Sequence, residues 1–105
     1  MDYLKSEEEF NQLKQEHDII FLFSANWCPD CRAIEPVLPE IEKKYNAYTF
    51  VYVDRDQFID ICISHDIFGI PSFLAYDKGE ETGRFVSKAF KSQEEIEKFI
   101  DSLSK

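Results

Sequence analysis

The sequence predicts an α/β fold, a central mixed sheet of four to five strands with helices on both faces, and three observations carry that expectation. Residues 18–23 and 48–53 are aromatic and β-branched with little alternation, as befits strands covered on both faces. Ser6-Glu7-Glu8-Glu9 and Ser92-Gln93-Glu94-Glu95 fit the capping box, in which a hydroxyl and a carboxylate three residues on satisfy the orphan amides of a helix start. Between residues 72–76 and 82–86, Asp77-Lys78-Gly79-Glu80 supplies a glycine for positive φ and signals a hairpin.

In chain order, a short first strand is expected around Tyr3 and Leu4, followed by the helix begun at Ser6 and the strand 18–23. A helix starting at Cys28 then links 18–23 to 48–53 as a βαβ unit. Pro36 and Pro39 each remove a backbone hydrogen bond from that helix and should bend its axis without ending it. A shorter helix follows, with Phe58, Ile61 and Cys62 on one stripe, which makes Cys62 a core residue. The last helix places Ile96, Phe99, Ile100 and Leu103 on one apolar face and Glu97, Lys98 and Asp101 on the other. Arg84, Lys88 and Lys91 suit a strand protected as a sheet edge. No linker, repeat or low-complexity run divides residues 1–105, so one domain is expected.

Composition narrows the function classes. Twenty-one acidic against twelve basic residues give a formal charge of −9, which repels nucleic acid and anionic lipid surfaces. The longest apolar run, Ile19 to Phe23, falls far short of a membrane helix, and the first residues lack the layout of a signal peptide. Three cysteines suit a reducing compartment better than a stapled secreted scaffold, so a cytoplasmic location is expected. Without a Gly-rich nucleotide fingerprint, the chain is expected to bind no cofactor.

The chemistry concentrates in Trp27-Cys28-Pro29-Asp30-Cys31 at a strand-to-helix junction. Side chains three positions apart on a helix are neighbours and can close into a disulfide with little backbone movement. Pro29 suits the first helical position, which puts Cys28 at the helix start, where free amides and the helix dipole favour its thiolate. Cys28 is therefore the candidate nucleophile. Cys31 shares the stripe of Ile34, Leu38, Ile41 and Tyr45, which faces the sheet. A buried thiol resists ionisation, so Cys31 is the candidate resolving residue. Pro29 and Asp30 modulate the pair, the carboxylate of Asp30 opposing negative charge on Cys28.

These residues, with Ser24-Ala25-Asn26 before them, Pro36 after them, and Phe68-Gly69-Ile70-Pro71-Ser72 opening a later strand, resemble the thioredoxin family over essentially the whole chain. The resemblance implies a thioredoxin fold and reduction of protein or small-molecule disulfides. It implies a cis Ile70-Pro71 bond beside the dithiol, with Trp27, Ile70 and Pro71 forming a substrate groove, and a flavoprotein thioredoxin reductase as electron donor; the chain itself is expected to be a monomer. Pro29-Asp30 stands where the family usually has Gly-Pro, a dipeptide similar to that of a narrower group of thioredoxin-related cytosolic proteins. The family's buried aspartate and its lysine partner on the neighbouring strand fall at Leu22 and Tyr52, and a groove glycine falls at Ser87, which implies slower turnover at neutral pH and narrower substrate choice.

Other chemistries stay open at this level. Cys28-x-x-Cys31 with Cys62-x-x-His65 superficially offers a tetrahedral zinc set, although the two pairs lie on separate expected helices and no metal is expected. The fold could serve as a peptide-binding module without turnover, or as a disulfide isomerase or oxidase. His17 and His65 read as exposed helix-end residues.

Overall fold

The computed structural model describes every residue except Lys88, Ser104 and Lys105. Its elements are β1 (Asp2–Tyr3), α1 (Glu7–Leu13), β2 (Ile19–Ser24), α2 (Pro29–Ile34), a 3₁₀ turn (Glu35–Val37), α3 (Leu38–Lys44), β3 (Thr49–Asp54), α4 (Ile59–Ser64), β4 (Ser72–Asp77), β5 (Glu80–Phe85) and α5 (Gln93–Ser102). The sheet runs β1-β3-β2-β4-β5. β1, β3 and β2 are parallel, whereas β4 runs antiparallel to β2, and β5 to β4.

The missing alternation in β2 follows from its central place. Phe21 and Phe23 point into one cluster with Phe10, Val51, Val53, Ile61 and Leu74. Ile20 and Leu22 point into the other with Ile34, Ile41, Phe73, Ile96 and Ile100. Helices α1 and α4 thus cover one face of the sheet, and α2, α3 and α5 the other. The Ser92 capping box is complete, with Glu95 N–H bonded to Ser92 Oγ at 3.2 Å and Ser92 N–H to the Glu95 carboxylate at 3.0 Å. At α1 the box is displaced by one residue: Ser6 Oγ accepts from Glu9 N–H, but the Glu9 carboxylate takes the N–H of Lys5.

Three expectations need correction. The helix begun at Cys28 does not bend through Pro36; it ends at Ile34, passes through the 3₁₀ turn, and restarts as α3. Pro36 has no N–H for the α-helical ladder, and Leu38 N–H turns back to the Glu35 carbonyl, closing the tighter ring. The hairpin is also tighter than the four-residue signal suggested. Lys78 (φ 52°) and Gly79 (φ 88°) form a two-residue turn, so Asp77 pairs directly with Glu80 and β5 starts earlier. The turn is tied down from outside, Lys78 N–H bonding to the Glu16 carbonyl (2.9 Å) and Gly79 N–H to that of Lys14 (2.7 Å).

The third correction concerns the sheet edge. β5 is an edge strand, as expected, and carries an Arg84–Glu81 ion pair at 2.8 Å. Lys91 gives it no solvent-facing charge, because its side chain is fully buried. Lys88 lies outside the described residues. Among the described residues, no helix is long and apolar enough to cross a membrane.

Candidate active site

β2 ends at Ser24, and the chain crosses Ala25, Asn26 and Trp27 before Cys28 caps α2 in extended geometry (φ −82°, ψ 118°) with Pro29 in the first turn. The sequence dictates this join, since Pro29 lacks the N–H that a first-turn residue would leave unpaired. Cys28 Sγ accepts from the Cys31 N–H at 3.3 Å, and its S–H donates to the Ile70 carbonyl at 3.8 Å. All three cysteines are free thiols. Cys28, Cys31 and Ala25 form a small buried cluster against Ile70.

Burial pushes the Cys31 thiol up to about 11, and its hydrogen bond with Cys28 adds to the rise, against a smaller opposing effect of the Ser24 hydroxyl. Cys31 is therefore a thiol at neutral pH. The sign for stability follows from linkage. The unfolded chain releases this proton near the ordinary value of 9.0 and the folded chain only near 11, so stability is intact below that window and falls across it. The reduced protein is expected to lose about 2 kcal/mol from this group between about pH 8 and 10.5, measured by urea unfolding. Cys31→Ala should remove most of that loss, and an unchanged pH slope in the variant would contradict the assignment.

The opposite wall comes from the start of β4. The Ile70–Pro71 peptide bond is cis, Pro71 is buried, and Ile70 is half-buried beside Cys28. Trp27 is 56% exposed, and its indole Nε1 donates to Asp56 Oδ2 at 2.6 Å. That bond, aided by Arg55, holds the Asp56 carboxyl below the usual carboxylate range. A groove of about 470 Å³ runs from Trp27 and Ile70 past Ile59, Ile63 and Phe68. Ile63 and Phe68 are both largely exposed, so apolar surface continues outward from the dithiol.

Of the residues singled out from the sequence, Cys28 caps α2 with Pro29, Asp30 and Cys31 in its first turn, Ile70 packs on the dithiol cluster, Trp27 and Ile70 line the groove, and Pro71 follows Ile70 through the cis bond. Cys62 is not part of the dithiol cluster; it packs in the cluster under α1 and α4, where it also lines the groove, with its thiol pushed up by burial. Among the described residues, no group of three or more His, Cys, Asp or Glu side chains is placed to hold a metal ion. His65 caps α4 and sits edge-on to Phe10, while exposed His17 pairs with Asp77. Leu22 and Tyr52 face each other across β2 and β3, both buried, with the Tyr52 hydroxyl raised by burial and bonded to Ser24. Sequence reasoning missed Ser24, Asp56 and Lys91. Only Asp56 had a visible signal, as a polar residue in the loop just after a strand, where site residues collect.

The family profile described as Thioredoxin matches residues 3–102. The chain belongs to the thioredoxin family. Thioredoxin H2 of Arabidopsis thaliana is 30% identical, the match covering 90% of this chain and 69% of that protein. Thioredoxin-2 of Dictyostelium discoideum is 34% identical over 79% of this chain and 94% of its own length. Among solved structures, a thioredoxin of Plasmodium falciparum shares the fold with a TM-score of 0.85 at 24% identity, covering 96% of this chain and 97% of that one. Oxidised mitochondrial thioredoxin 3 of Saccharomyces cerevisiae superposes with a TM-score of 0.83 at 25% identity, over 96% and 93% of the two chains. As a thioredoxin-family protein, the chain is a thiol-disulfide oxidoreductase with a redox-active Cys-x-x-Cys pair. Family membership sharpens one contrast: Leu22 and Tyr52 provide no buried ion pair where thioredoxins generally have one.

Proposed function

We propose that the chain reduces disulfides through Cys28 and Cys31 in two exchanges. The Cys28 thiolate attacks one sulfur of a substrate disulfide, forming a mixed disulfide and releasing the first substrate thiol. Cys31 then gives up its proton and attacks Cys28 Sγ, which closes the Cys28–Cys31 disulfide and releases the second thiol. Two electrons pass to the substrate, and the protein is left oxidised. The observation that carries this reading is the asymmetry of the pair: Cys31 is fully buried and kept protonated, while Cys28 keeps 6% of its surface exposed at the start of α2, its sulfur 3.8 Å from the Ile70 carbonyl.

In this reading Trp27, Ile70 and Pro71 are the substrate-binding residues, an extended substrate segment lies along the Ile70 backbone, and Pro29 and Asp30 tune the couple. Residues 1–105 act as one domain and one monomer in the cytoplasm, and a thioredoxin reductase recycles the disulfide, without a cofactor or metal in this chain. The test is the equilibrium reduction potential of the couple, followed by mass spectrometry after thiol alkylation in graded dithiothreitol or glutathione buffers. A value near about −270 mV supports the reductase, whereas one near about −180 to −120 mV identifies an isomerase or oxidase.

A further inference from the structure

Lys91 is a buried cation that the two exchange steps leave unused. A lysine ordinarily keeps its charged head in water, yet this side chain is fully buried. Its ammonium donates to the Ser87 carbonyl (3.0 Å), the Ser87 hydroxyl (3.1 Å) and the Ala89 carbonyl (3.3 Å), and it lies 5.1 Å from the Phe85 ring centroid. These acceptors satisfy its donors but are all neutral. A charge removed from water is costly unless opposite charge stands nearby.

The fold says where that opposite charge can be. The segment holding Lys91 leaves β5 after Phe85, and Phe85 pairs with Phe73. Next to Phe73 is Ser72, which pairs with Phe23 of β2. The segment therefore leaves the sheet at the end where β2 delivers Cys28 and Pro71 opens β4. Four titratable groups act electrostatically on Lys91: Cys31 most strongly, then Asp30 beside it on α2, Glu95 in the first turn of α5, and Cys28 at the start of α2. Burial pulls the ammonium's protonation down, and these groups hold it up. Glu95 is exposed and spent on the capping box, and Asp30 takes no part in the two exchange steps. Cys28 and Cys31 are the groups whose charge appears and disappears during turnover.

We propose that Lys91 is a positioning residue for thiol-disulfide exchange, its buried ammonium stabilising the thiolate of Cys28 in the attack and that of Cys31 in the resolution. The proposal rests on the assignment of Cys28 as nucleophile. It gives the site an electrostatic device in a protein where α2 is only six residues long, so its dipole is short, and where Leu22 and Tyr52 supply no buried ion pair. The cation arrives from the segment after β5.

In Lys91→Gln and Lys91→Met, iodoacetamide alkylation of Cys28 in the reduced protein at pH 7 is expected to slow about three- to tenfold, the effect of one nearby charge at intermediate dielectric. Their dithiol-disulfide equilibrium with glutathione should move by a similar factor towards the disulfide, because the reduced form loses its charge partner. Lys91→Arg keeps the charge and should restore both readouts to within about twofold. A second measurement leaves Lys91 in place. Coupling between two sites is reciprocal, so the protonation midpoint of Lys91 Nζ, followed by nitrogen NMR, should fall by about the same factor in reduced Cys28→Ser. If both neutral variants alkylate like the parent, or the Lys91 midpoint does not move, the proposal is overturned and Lys91 is a tie for its own loop. Where a neutral variant does not fold, the Lys91 titration alone decides. A parent protein in which Cys31 alkylates and Cys28 does not would overturn the nucleophile assignment instead.

Discussion

Cys28→Ser is expected to abolish disulfide reduction, lowering the rate with a protein disulfide such as insulin on the order of 10³-fold or more. The serine hydroxyl cannot form the mixed disulfide, and buried Cys31 cannot replace it: it lies behind Cys28 and stays a thiol at neutral pH. Cys31→Ser should differ in kind. Attack by Cys28 survives, so the variant accumulates a mixed disulfide with its substrate, visible as a mass increase that thiol reductant removes. Cys62→Ala should leave both exchange steps intact, since Cys62 packs in the cluster under α1 and α4 and meets the groove beyond the dithiol cluster. A Cys28→Ser protein that still turned over, or a Cys31→Ser protein that trapped nothing, would refute the two-step assignment.

The largest loss of stability is expected from Phe21→Ala. Phe21 is fully buried at the middle of the central strand, 4.5 Å from the Phe10 ring centroid and 6.1 Å from that of Tyr76. Truncation there removes apolar transfer energy and leaves a cavity that a strand paired on both sides cannot close, at a cost of about 3–5 kcal/mol. Domains of this kind are stable by about 5–15 kcal/mol, so the loss is a large part of the whole and should lower the urea midpoint by about 2 M. Phe68→Ala is the control. Phe68 is largely exposed beside the groove, and its removal should change stability by less than about 0.5 kcal/mol. Equal midpoints for the two variants would show that the packing described for the face under α1 and α4 is not what holds the protein together.

Much of this was legible in the residues because local rules and global fold agree. The unalternating run of β2 reports a strand with a cluster on each face, and the serine-glutamate pairs report where two helices begin. The dithiol was legible for the same reason: Pro29 fixes the helix start, and the helix start fixes Cys28. What was misread depends on competition between distant groups. Pro36 shows that one hydrogen bond must be lost, but whether the helix bends or breaks depends on what packs around it, and Pro39 close behind favoured a break. Lys91 looked like a surface charge after a strand, because nothing local reveals that the preceding loop folds three acceptors onto its ammonium. The hydrogen bond between Trp27 and Asp56 joins residues 29 positions apart and is invisible until β2 and β3 are paired.

The charged outer strand has a consequence for how copies meet in a crowded solution. β5 leaves one row of backbone groups unpaired, and such a row invites a second chain to extend the sheet. Glu80 and Glu81 stand on that strand and are exposed, so a neighbouring copy of a protein carrying −9 charge must bring like charge against like to add itself there. The edge is thereby kept from sticking, while Trp27, Ile63 and Phe68 leave the apolar welcome beside the reactive sulfur. Chance encounters are sorted before any bond is exchanged: fibre-like stacking is discouraged along the edge strand, and contact with a foreign disulfide is favoured at the groove.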